Sequence, residues 1–181
     1  TTGGGFGFAQ SELDDGQVIG TYMTAGGPAE KAGVQMGAEV GEFNGDGHQD
    51  VVVANSSSGT VGLLLGNGSG GFFPVLIYPT GGSEPAALAV ADLNLDGDSD
   101  LAVADGATGR IGILLGDGRG GFSAAADVVT GGSIARSVAA GDFTADGRPD
   151  LAVAIFSQGV AVVLGDGSGG FSAPVLLGSG S

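Results

Sequence analysis

Apolar residues in the last third of the chain fall into four short runs: SVAAGDF at 137–143, DLAVAI at 150–155, GVAVVLG at 159–165 and FSAPVLLG at 171–178. Each run has the length of a strand. Runs of four to eight residues between glycine clusters favour strands over buried helix segments. The joints are an acidic loop, a short polar turn such as SQG, and the Gly-rich GDGSGG, whose Asp-Gly and Gly-Gly pairs tolerate positive φ. The pattern predicts a four-stranded antiparallel sheet.

The same pattern occurs three times. GNGSGGF at 66–72, GDGRGGF at 116–122 and GDGSGGF at 165–171 end in Phe72, Phe122 and Phe171, a period of 50 and then 49 residues. Internal repetition at this length marks propellers and solenoids. The expected fold is therefore all-β, with three tandem four-stranded antiparallel propeller-type blades. Repeat 1 is placed at 34–83, repeat 2 at 84–133 and repeat 3 at 134–181, after an N-terminal strand and elaborated connection at 1–33. The opening GGGFGFAQ matches the end of a Gly-rich hairpin and the strand after it, so the segment Gly4 to Gln10 is an extra strand without an in-chain partner in this count. Three blades are too few for a closed monomeric propeller, which takes about four to eight.

Composition narrows the function. The 181 residues include 20 acidic and five basic side chains, a net charge of −15, which argues against nucleic acid or an anionic membrane surface as partner. The apolar runs are far shorter than the roughly 20 residues that span a bilayer as a helix. With no cysteine and one histidine, and with serines mainly in Gly-rich turns, no nucleophile–base pair stands out and no catalytic residue is expected. The Gly-rich hairpins lack the lysine and following helix of a phosphate-binding loop.

Half of the acidic residues lie in three loops that repeat in phase: EFNGDGHQD at 42–50, DLNLDGDSD at 92–100 and DFTADGRPD at 142–150. Alternate oxygen-bearing side chains around a sharp turn at glycine suit calcium, which takes six to eight oxygen ligands. The spacing D-x-N-x-D-G-x-x-D offers positions 1, 3, 5 and 9 as side-chain ligands and the carbonyl of position 7. Loop 1 offers Glu42, Asn44, Asp46, the His48 carbonyl and Asp50. In loop 2 the set is Asp92, Asn94, Asp96, the Asp98 carbonyl and Asp100, and in loop 3 it is Asp142, Thr144, Asp146, the Arg148 carbonyl and Asp150. These are not EF-hands, because position 12 holds Val53, Val103 or Val153 where a bidentate Glu would be required. The competing reading of one such loop is an Asx-rich turn. Three copies in register weigh against it, since crowded carboxylates repel without a cation.

The combination of D-x-N-x-D-G-x-x-D-L-A-V-A with a downstream L-G-D-G-x-G-G-F resembles the FG-GAP or VCBS repeat of integrin α-subunit propellers and many secreted bacterial proteins, over about residues 34–178. The resemblance implies one four-stranded blade per repeat, with calcium in the loop between its first two strands. Glu42, longer than Asp, and Thr144, a weaker neutral ligand, depart from the pattern, so the second site is expected to bind best. A weaker, partial resemblance to a PDZ domain covers residues 5–45 in GFGF, GGPAEKAG and GAEVGEFNG. The competing reading there is a repeat hairpin followed by an elaborated first strand, with a short helix near Pro28 to Ala32.

These readings lead to a non-catalytic, calcium-binding extracellular repeat protein, secreted or at the cell surface, with up to three Ca2+ sites and a role in adhesion or self-assembly. A homo-oligomer through terminal strands, as a ring or a filament, is expected, as is a protein or glycan ligand. The alternatives are a carbohydrate-binding propeller-type lectin and an accessory or PDZ-bearing fragment of a secreted enzyme. Phe72, Phe122 and Phe171 read as inter-blade core residues, and Asn55 and Asn67 head N-glycosylation sequons.

Overall fold

The computed structural model describes residues 8–12, 18–23 and 38–178. Its strands are β1 (Phe8–Glu12), β2 (Val18–Met23), β3 (Ala38–Gly41), β4 (Asp50–Asn55), β5 (Thr60–Leu64), β6 (Leu76–Pro79), β7 (Pro85–Ala91), β8 (Asp100–Asp105), β9 (Arg110–Gly116), β10 (Phe122–Val129), β11 (Ala135–Gly141), β12 (Asp150–Ile155), β13 (Gly159–Val163) and β14 (Val175–Leu177). Strands β3 to β6, β7 to β10 and β11 to β14 form three four-stranded sheets, each antiparallel throughout and ordered in space as in sequence. These are blades 1, 2 and 3. None closes into a barrel.

β1 pairs with β2 in a separate antiparallel two-stranded sheet. This corrects one expectation, because Phe8 to Gln10 of the supposedly unpartnered leading strand has an in-chain partner in β2. The second strand was hidden by its composition: VIGTYM at 18–23 is flanked by neither of the repeat's glycine motifs. The expected helix near Pro28 to Ala32 and the GGPAEKAG stretch of the PDZ resemblance lie outside the described residues.

Stacking of the blades explains why the second and third strands are continuous apolar runs. A strand between two neighbouring blades is buried on both faces, so it need not alternate. All six residues of β8 are buried, while most of β10, at the outer edge of the same blade, is exposed. One face of blade 1 (Val52, Ala54, Val61, Leu63) meets Leu88, Leu101, Val103 and Leu114 of blade 2 in one core. The opposite face of blade 2 (Ala102, Ala104, Ile111, Ile113) meets Val138, Leu151, Val153 and Val163 of blade 3 in a second. Phe122 lies edge-on to Phe43 of blade 1 at 5.8 Å and to Tyr78 at 5.3 Å. Phe171 packs on the second core, and Phe72 on a smaller one around Val51 and Val53.

Candidate metal loops

Each acidic loop joins the first strand of a blade to the second, at β3–β4, β7–β8 and β11–β12. The sixth loop position requires a left-handed backbone, with φ of 77° at Gly47, 93° at Gly97 and 81° at Gly147. A Cβ at any of these glycines would meet nothing within 4 Å, so glycine serves the dihedral and not the space. The fourth position is also left-handed, at Gly45, Leu95 (φ 61°) and Ala145 (φ 58°). For leucine and alanine this conformation costs about 1–2 kcal/mol. The loop shape is thus held against local preference.

The side chains at positions 1 and 5, and the asparagines at position 3 of loops 1 and 2, are turned onto the loop's own amides. Asp92 accepts from the Asp96 and Gly97 amides at 3.0 and 2.9 Å, and Asp142 from Asp146 and Gly147 at 3.2 and 2.8 Å. Glu42 differs: its longer side chain takes the amides of Asn44 and Gly45, two residues earlier in the turn. The Asn44 and Asn94 amide groups donate to Asp46 and Asp96 at 2.8 and 2.7 Å. The position 7 amides of His48, Asp98 and Arg148 donate to the position 5 carboxylates of Asp46, Asp96 and Asp146. Thr144 makes no corresponding contact among the hydrogen bonds of loop 3. His48 is exposed, and its ring lies against Gly68 of the hairpin.

Position 9 is different in kind. Asp50, Asp100 and Asp150 are fully buried. One oxygen of each accepts from the position 2 amide, Phe43 at 2.9 Å, Leu93 at 2.7 Å and Phe143 at 2.9 Å. The other accepts from the glycine that opens the Gly-rich hairpin, Gly66 at 2.7 Å, Gly116 at 2.7 Å and Gly165 at 2.9 Å. Those glycines press on the loop. A Cβ there would lie 2.3, 2.3 and 2.1 Å from the carbonyl oxygens of Gln49, Ser99 and Pro149. The acidic loop and the L-G-D/N-G hairpin, two motifs in sequence, are therefore one physical unit clasped by a buried carboxylate. Sequence reasoning took the last Asp as a ligand and missed the clasp; the signal was the fixed spacing between the two motifs.

Electrostatics follow the same division. Burial pushes the carboxyls of Asp50 and Asp100 up; the glycine and position 2 amides offset part of this, and the neighbouring Asp46 with Glu42, or Asp96 with Asp92, push them further up. The Asp142 carboxyl is drawn below the usual range, chiefly by the Gly147 amide. Among the described residues no three His, Cys, Asp or Glu side chains stand together as a ready metal-binding group. By residue type, positions 1, 3, 5 and 9 can each offer an oxygen ligand and none offers sulfur or imidazole nitrogen, a set that suits a hard cation and not a soft one.

Two comparisons place the chain. Residues 43–103 and 92–153 match the model of the FG-GAP-like repeat. A solved structure described as a lectin from Agrocybe aegerita, in specific recognition of non-reducing terminal N-acetylglucosamine, is 23% identical with a TM-score of 0.58. The match covers 93% of this chain and 46% of that one, so the chain spans about half the length of that structure. No curated protein shows significant sequence similarity.

Proposed function

The chain belongs to the FG-GAP-like repeat family, and from that premise we propose that it is a non-catalytic binding module whose acidic loops hold calcium. Calcium would be held by the position 1, 3, 5 and 9 side chains and the position 7 carbonyl of each loop. Bound there, it supplies positive charge that offsets the local repulsion and ties the loop turn together. Asp50, Asp100 and Asp150 hold the loop to the hairpin, so metal binding and blade order are coupled through one carboxylate. The observation that carries this reading is the left-handed backbone at Leu95 and Ala145, a conformation that local preference opposes in loops made of oxygen donors.

The setting we propose is extracellular, where millimolar calcium keeps such loops filled, and the work is adhesion or self-assembly. No helix among the described residues is long and apolar enough to cross a membrane. Titration calorimetry of the full chain, stripped of metal, tests the site. Saturable heat with calcium that Asp96→Asn diminishes is expected, and the absence of calcium-dependent heat removes the reading.

A glycan ligand is the second reading, favoured by the likeness to a lectin fold. A small cleft where the linker from blade 1 crosses blade 2 is lined by Thr80, Gly82, Asp105, Arg110, Gly112 and Asp127. Its rim carries the exposed Arg110–Asp127 pair at 3.0 Å, groups that hydrogen-bond sugar hydroxyls. Blades 1 and 3 place Thr60 and Gly159 where blade 2 has Arg110. A glycan array on the wild type and Arg110→Ala separates this reading from the first.

A further inference from the structure

Blade 3 carries a stacking face that nothing among the described residues covers. Position 2 of the acidic loop is 4% exposed at Phe43 in blade 1 and 54% exposed at Phe143 in blade 3; the blade 2 residue, Leu93, is 1% exposed. The rest of that face repeats the contrast. Val61 of blade 1 and Ile111 of blade 2 are buried under the next blade, whereas their counterpart Val160 in blade 3 is 38% exposed; Leu65 and Leu115 are half-buried at their junctions, whereas Leu164 is 40% exposed, and Val162 and Leu177 on the same face are half-buried and exposed. The side chains are of the same kind and phase as those that form the two internal junctions.

Those junctions also show what seats on such a face. At each, the hairpin glycine of the following blade donates its amide to the position 2 carbonyl of the preceding one, Gly120 to Phe43 at 2.8 Å and Gly169 to Leu93 at 3.2 Å. The same glycine lies on a leucine, with its would-be Cβ 3.2 Å from Leu65 or Leu115 respectively. Gly120 and Gly169 are accordingly buried. Their counterpart in blade 1, Gly70, is exposed and would carry a Cβ into open space. The inner part of that side of blade 1 is already covered, since Val51 and Val53 are buried; its outer hairpin is what stands free. The open groups on blade 3 are likewise concentrated on its outer strands, β13 and β14, and at Phe143.

We propose that the open face of blade 3 takes the outer hairpin and adjoining strands of blade 1 from a second copy of this chain. Gly70 would seat on Leu164 and donate to the Phe143 carbonyl, repeating the two internal junctions. The contact is heterologous, one surface of the chain meeting a different surface of its copy. This rests on, and deepens, the reading of the chain as a module that works by interaction, with a blade face as the contact.

Light scattering of the full chain in calcium, with two variants, tests it. Leu164→Arg puts a charge on the half-exposed centre of the acceptor face. Gly70→Asn keeps a residue that tolerates a left-handed φ of 85° in a position with room for a side chain within its own copy. Association of the wild type is expected, with each variant weakening it by about tenfold or more, the penalty of overpacking or charging a packed contact. Both variants should keep the wild-type circular dichroism and calcium-dependent melting. A wild type that stays monomeric at its highest soluble concentration overturns the docking; if its melting still rises with calcium, the metal reading survives. Association indifferent to Leu164→Arg, or sensitive to it but indifferent to Gly70→Asn, equally overturns the stacking of blade 1 on blade 3.

Discussion

Replacing Asp100 with alanine should destabilise the fold even with no metal present. Its carboxylate is fully buried and accepts from the Leu93 and Gly116 amides, both at 2.7 Å. Truncation leaves one buried donor, Leu93, and one half-buried donor, Gly116, without an acceptor, at a cost of about 1–3 kcal/mol for each and less for the second. Part of this returns, because the charge is itself penalised by burial and by Asp96 and Asp92, which hold the carboxyl above its ordinary range. The net expectation is about 3 kcal/mol. Urea unfolding in excess chelator measures it as a lower midpoint at unchanged slope. Asp96→Ala, at an exposed position of the same loop, is the control and should cost less than about 0.5 kcal/mol under those conditions. Asp100→Asn keeps one carbonyl oxygen and should fall between the two. If Asp100→Ala and Asp96→Ala unfold at the same urea concentration in chelator, position 9 is only a ligand and the clasp is wrong.

Calcium calorimetry should rank the loops: Asp96→Asn is expected to lower affinity more than Asp146→Asn, because loop 2 has the fuller ligand set, and equal losses would refute the order. Phe122→Ala, which removes the ring between Phe43 and Tyr78, should cost about 3 kcal/mol, against nearly nothing for Phe73→Ala at an exposed position; comparable unfolding midpoints would count against the aromatic junction. For Asp105, burial alone would raise the carboxyl, but the amides of Ala107, Ser83 and Thr108 together hold it below its ordinary range. A depressed folded value means the stabilisation is present above the unfolded carboxylate range and is lost as pH falls through the folded value. The stability gap between wild type and Asp105→Asn should therefore shrink on acidification below about pH 4, and a gap independent of pH would contradict this.

The blades were legible in the sequence because three in-phase copies of short apolar runs and glycine punctuation leave few alternatives. The β4 and β8 runs, VVVA and LAVA, identify strands covered on both faces, while the same LAVA in β12 leaves Ala152 and Ala154 only half-buried. What one repeat cannot reveal is its end condition. Phe43 and Phe143 have the same position in the motif, yet one is core and the other surface, because burial depends on the neighbouring blade and not on the residue. The partner of β1 was missed for a related reason, since β2 carries none of the repeat's markers. In the acidic loops the donor spacing was readable. The division of labour was not: Asp46 and Asp50 are both acidic, but only the contact of Gly66 with Asp50 shows that position 9 joins two motifs.

Thermal unfolding of the full chain in excess chelator and then in millimolar calcium tests the central claim most directly, with magnesium as the comparison. With free calcium at about 100 times the dissociation constant, each filled site adds roughly 2.7 kcal/mol. The account predicts a midpoint that rises markedly with calcium and much less with magnesium, which prefers a smaller octahedral shell and retains its water. A midpoint unchanged between chelator and calcium would contradict it.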